Sequence, residues 1–80
     1  MPEAHSPLAA RIVETLTPDL GPHTAAQALR VVCKRTKTSP DTLGTDDVDQ
    51  ATEVLSRMLR TLLGAERTGR LVDRVREGFV

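Results

Sequence analysis

Apolar residues recur along this chain at helical spacing, in four stretches separated by short polar joints. Leu8, Ile12 and Leu16 stand at i, i+4 and i+8, the period of one helix face. Ser6 offers a side-chain cap and Pro7 suits the first helical position, where its missing N–H costs nothing, so the spacing predicts a first helix over 7–16. Pro18, Gly21 and Pro22 in "TPDLGP" predict a break after it. Ala25, Ala28, Leu29, Val32 and Cys33 then share a face opposite Gln27, Arg30 and Lys34, which predicts a second helix over 22–35. "TKTSPDTLG" reads as a polar loop punctuated by Pro40 and Gly44.

Thr45 reads as the cap of a third helix over 45–63, with Asp46, Asp47 and Asp49 in the first turn, where the helix dipole favours negative charge. Its apolar positions, Val48, Ala51, Val54, Leu55, Met58, Leu59, Leu62 and Leu63, cover an arc of roughly 180°, wider than the stripe of about 100° usual for a surface helix. Such a helix is either central or meets a partner. Gly64 marks a turn, and a fourth helix over 65–78 places Leu71, Val72, Val75 and Phe79 inward. Gly69 weakens that helix by about 1 kcal/mol relative to alanine, which predicts a close packing contact there or a later helix start. The pattern as a whole predicts an all-α bundle of four helices, one domain over 6–80 behind a flexible tail of residues 1–5.

Composition agrees with helices and narrows the classes of function. Phe79 is the only aromatic residue, so the core must be aliphatic, unlike sandwiches and barrels that draw on aromatic and β-branched residues. Eleven basic and eleven acidic residues cancel, leaving no global field to draw the chain to nucleic acid or a membrane surface. No stretch approaches the roughly 18 apolar residues of a membrane span, and "MPEAHSP" lacks the order of a signal peptide. With a single cysteine and hence no internal disulfide, the chain reads as cytoplasmic. Arginine outnumbers lysine nine to two, a usage that looks like a GC-rich bacterium.

Candidate chemistry adds little. His5, His23 and Cys33 are too few and too far apart for a zinc set. Cys33 lies on the core side, near the C-terminal end of its helix, where no dipole lowers a thiol pKa. Asp46, Asp47 and Asp49 are explained by their first-turn position, and "LGTDDVDQATE" departs from the spacing of a calcium loop. No glycine-rich phosphate loop occurs. The sequence therefore predicts no catalytic residue, no cofactor and no metal, and a protein that is not an enzyme.

Two surface features remain. Val31 falls opposite the core face of the second helix, while Val54 and Leu63 stand at the margins of the wide stripe. These predict a protein interface of Val54, Met58 and Leu63 with Arg57 and Arg60 at its rim, used for self-association or for a protein partner. Arg67, Arg70 and Arg74 recur at i, i+3 and i+7 on one flank of the last helix, and with Arg57 and Arg60 they could form a phosphate-binding surface if the last two helices are antiparallel neighbours. Nucleic-acid binding is the alternative this flank predicts, although Glu66, Asp73 and Glu77 interleave with it.

The segment "AARIVETLTPDLGPHTAAQALRVVCKRT", Ala9 to Thr36, resembles the start of small helical accessory domains appended to bacterial signalling proteins such as serine/threonine kinases. The likeness covers about a third of the chain: a helix, a Gly-Pro joint at Gly21 and Pro22, and a second helix with small residues and a basic end. Leu20 stands where an aromatic approach is usual, and His23 where an aliphatic residue is usual. The resemblance implies a regulatory or interaction module.

Overall fold

The computed structural model describes residues 6–77; the expected tail over 1–5, the inward Phe79 and the helix end at 78 lie outside the described residues. Within them the chain forms four α-helices, α1 (Pro7–Leu20), α2 (Pro22–Thr36), α3 (Val48–Leu63) and α4 (Ala65–Glu77), and no strand. The fold is the all-α bundle that the periodicity predicts.

Helix α1 begins as expected, with Ser6 Oγ accepting the Ala9 N–H at 3.1 Å. It does not stop at Leu16 but continues through Pro18 to Leu20. Pro18 withholds one N–H from the Glu14 carbonyl, and because Pro18 is exposed and near the helix end, water can serve that carbonyl. In return the added turn packs Leu20 against the core, and the Gly21 N–H closes it on the Thr17 carbonyl at 2.8 Å. Partial burial of Leu20 offsets the absent hydrogen bond. Gly21 is then the whole corner: its φ of 84° and ψ of 159° turn the chain, and Pro22 opens α2 at the next residue.

Helix α2 ends on Lys37 in the left-handed conformation, φ 58°, with the Thr38 N–H returning to the Cys33 carbonyl at 2.9 Å. The loop that follows is more than a polar connection, because Leu43 is fully buried within it. The Ser39 carbonyl accepts the N–H groups of Thr42 and Leu43 at 3.0 and 2.9 Å, and the Pro40 carbonyl accepts the Ser6 N–H at 2.8 Å. The Ser39 hydroxyl donates to Asp41 and holds that carboxyl below its ordinary pKa. Backbone bonds thus tie the loop to the start of α1 and press Leu43 into the core.

The start of the third helix differs in detail from the expectation. Thr45 is not its cap; Thr45–Asp47 is a 3₁₀ turn. The Gly44 N–H donates to Asp47 Oδ2 at 3.1 Å, and the Asp47 N–H returns to the Gly44 carbonyl at 2.9 Å. A carboxylate two residues after Thr45 satisfies an otherwise orphaned donor, leaving Thr45 exposed.

Helices α3 and α4 are antiparallel about Gly64: Arg76, near the end of α4, donates to Asp49 Oδ1 at 3.0 Å and to Thr52 Oγ1 at 3.2 Å, near the start of α3. Arg11 on α1 donates twice to the Arg74 carbonyl, at 3.1 and 2.9 Å, which ties α1 to α4. Gly69 lies well inside α4 and is exposed, and a Cβ built on it meets nothing within 4 Å. Neither a packing contact nor a late helix start explains it. Gly69→Ala is therefore expected to stabilise the fold by about 0.5–1 kcal/mol, read as a higher urea midpoint at unchanged slope; a lower midpoint would contradict this placement.

Candidate functional site

The wide apolar stripe of α3 divides into a core and two margins. Val48, Ala51, Leu55 and Leu59 are buried, while Val54, Met58 and Leu63 are half-buried against the edge of the core. Leu62, which the stripe also includes, is 60% exposed. On the side facing α2, Val54, Arg57 and Met58 join Val31 and Arg35 to line an open groove of about 310 Å³. Val31 is 38% exposed there.

The groove follows from how the helices are joined. Single glycines connect α1 to α2 and α3 to α4, and those pairs pack along much of their length. Helices α2 and α3 are joined by the longer stretch 37–47 and meet less extensively, so their seam stays open at Val31 and Met58. Of the expected interface residues, the structure brings Val54, Met58 and Arg57 together and leaves Leu63 and Arg60 out of the groove lining. Arg35 is the member that sequence reasoning missed. It read as a helix-end charge, although its position four residues after Val31 puts both on one face of α2.

The groove floor is apolar and its rim is basic. Residues 20–40 include no acidic side chain, and α2 contributes Arg30, Lys34 and Arg35. Arg57 makes one ion pair, with Glu53 one turn back at 3.2 Å, and its side chain is 81% exposed. Such a solvated i,i+4 pair contributes about 0.3–0.5 kcal/mol, too little to hold the guanidinium away from another partner.

The arginine flank takes a different course. Arg67, Arg70 and Arg74 line one open cleft of about 550 Å³, in company with Asp19, Asp73, Glu77 and Leu71. Arg70 pairs with Glu66 at 3.4 Å. Arg57 and Arg60 are not among the cleft's lining residues. Although α3 and α4 are antiparallel, α4 turns these three arginines toward the end of α1, whereas Arg57 faces α2. The basic residues are split between two surfaces, one of which is balanced by three carboxylates.

Cys33 and His23 lie among the described residues, and His5 lies outside them. Cys33 is buried, and burial pushes its thiol pKa up, with hydrogen bonding to Thr38 opposing this in part. That keeps it in the unreactive thiol form at neutral pH. His23 is exposed and shares a hydrogen bond with Gln27 at 3.2 Å. Among the described residues no three His, Cys, Asp or Glu side chains converge as a metal set, and no helix is long and apolar enough to cross a membrane. Compared with known proteins, the chain matches no family model, no curated protein and no solved structure.

Proposed function

We propose that this chain is a small non-enzymatic interaction or regulatory module of a bacterial cytoplasm, whose docking surface is the groove between α2 and α3. The observation that carries this reading is the meeting of Val31, Val54 and Met58 from two helices in one open apolar recess, with Arg35 and Arg57 on its edge. Methionine suits such a recess, since its unbranched thioether adapts to the shape laid against it. The likeness of Ala9 to Thr36 to accessory domains of signalling proteins supports the same class of function. Val31→Asp tests it. Val31 is already partly exposed, so the variant is expected to keep its helical circular dichroism and to lose at most about 0.5–1 kcal/mol of stability. It should also abolish whatever association the chain makes, read by light scattering after size exclusion and by retention of a binding partner. Association that persists unchanged in a folded Val31→Asp protein would remove the groove from consideration.

Nucleic-acid binding is the second reading, supported by the convergence of Arg67, Arg70 and Arg74 on one cleft. Asp19, Asp73 and Glu77 in the same cleft oppose a phosphate backbone. This reading expects duplex binding that falls steeply with salt and weakens in Arg67→Ala and Arg74→Ala.

A further inference from the structure

We infer that the occupant of the α2–α3 groove is an amphipathic helix of another protein whose apolar face is flanked by aspartate or glutamate. The inference rests on the docking reading above and adds to it the chemistry of the partner.

Charge distribution is the first argument. The chain is neutral overall, but its charges are sorted: residues 20–40 hold Arg30, Lys34, Arg35 and Lys37 and no acid, and α3 after Glu53 adds Arg57 and Arg60 before the next acid at Glu66. Asp41, Asp46, Asp47 and Asp49 collect instead on the loop and first turn before Glu53. The ends of α2 and α3 account for Arg35 and Arg60, since cations suit a helix C-terminus. Arg57 lies away from those ends and is not explained that way. A partner that buries the recess must approach Arg35 and Arg57 on its rim, and like charge on it would be repelled.

Spacing is the second. The groove is framed by Val31 and Arg35, four apart on α2, and by Val54 and Met58, four apart on α3. Each pair spans one helical turn, the interval at which a helix presents its own side chains, as in helix-in-groove recognition through i, i+3, i+4 and i+7 anchors.

Other occupants fit less well. A twofold pairing of two copies through the groove would set Arg35 and Arg57 against themselves, because an isologous contact repeats the same patch. Leu62, the other exposed large apolar residue among those described, has Arg60 and Thr61 beside it and no acid on its own helix turn, so it lacks the complementary charge for a head-to-tail contact. A single nucleic-acid strand is bound on aromatic platforms, and the groove lining contains no aromatic side chain.

The test is a displayed library of helix-forming peptides of about 18 residues, long enough to be marginal helices alone, selected on the immobilised full chain. Selected peptides are expected to carry apolar residues at i, i+3 or i+4, and i+7 with Asp or Glu beside them. A synthetic peptide from the selection should bind at least about tenfold more weakly to Val31→Asp. The double variant Arg35→Glu/Arg57→Glu should lose the acidic peptide to a similar degree and gain the version in which lysines replace its acids. Circular dichroism verifies that both variants fold. Val31-dependent binding with no acidic preference, or with no response to the charge reversal, overturns the acidic partner and leaves the docking reading standing. Selected peptides indifferent to Val31→Asp, or no selected peptide at all, overturn the inference. So does a groove filled by a second copy, seen as a dimer lost in Val31→Asp, or by a DNA duplex whose binding disappears in the charge-reversed variant.

Discussion

Leu43→Ala is expected to lower the unfolding free energy by about 3 kcal/mol, within the range of about 2–5 for a buried leucine truncated to alanine. Leu43 is fully buried although it sits in the loop between α2 and α3. Its neighbours cannot readily close over the gap, because the loop is fixed on both sides of it: Leu43 and Thr42 donate to the Ser39 carbonyl, and Ser6 donates to the Pro40 carbonyl. The truncation therefore removes transfer free energy and also leaves a cavity. For a chain of this length the total stability is about 4–12 kcal/mol, so one loop residue would account for a large share of it. Urea unfolding followed at the helical circular-dichroism band measures the effect, with Thr42→Ala as the control, because Thr42 is exposed and its side-chain bonds are solvated. A loss below about 1 kcal/mol at Leu43 would mean that the loop leaves the core without disturbing it.

Leu43 also shows where reading a sequence stops. Four helices were legible because their apolar residues repeat at a helical interval, and that repeat is the physical requirement for burying one face. A lone leucine between Thr42 and Gly44 has no repeat to announce it. Its burial depends on where the loop is tied, which involves Ser6 and Pro40 from distant parts of the chain. Pro18 illustrates the opposite error. The local rule that proline ends a helix yields to the packing of Leu20 two residues later, a tertiary gain that the local pattern cannot weigh.

The candidate site was legible to a similar depth. An arc too wide for one neighbour marked Val54 and Met58, and the helical phase marked Val31 as off the core face. Which margin stays open is a matter of helix connection: Gly64 brings α4 tightly alongside α3, and the longer 37–47 stretch leaves α2 further off. Leu63 and Val54 stand at opposite margins of the stripe, and only Val54 lines the groove. The arginines give the same lesson in charge. Arg57 and Arg74 could share a surface on paper, but their helices turn them toward α2 and α1 respectively.

Gly21→Ala is expected to cost about 1–3 kcal/mol, the usual range for a non-glycine residue held in a sparsely populated backbone region. Space is not the reason, since a Cβ at Gly21 meets nothing within 4 Å. The cost lies in the φ of 84° and ψ of 159°, a combination that L side chains rarely adopt. Relaxing it would move the corner that starts α2 immediately after α1 ends, and would disturb the pairing of Gly21 with both helices: its N–H bonds the Thr17 carbonyl at 2.8 Å and its carbonyl accepts the Ala25 N–H at 3.0 Å. Asparagine separates this explanation from a simple positive-φ preference. It visits the left-handed helical region more readily than other L residues, the region Lys37 occupies at φ 58° and ψ 42°, but the ψ of Gly21 lies far outside that region. Gly21→Asn is thus expected to be nearly as destabilising as Gly21→Ala, whereas a stabilised Gly69→Ala protein would show that an equally uncrowded glycine in a helical backbone responds with the opposite sign. Equal urea midpoints for wild type and Gly21→Asn would place the corner in the left-handed helical region instead, with α1 and α2 meeting at a different angle and the floor of the groove at Val31 shifted with α2.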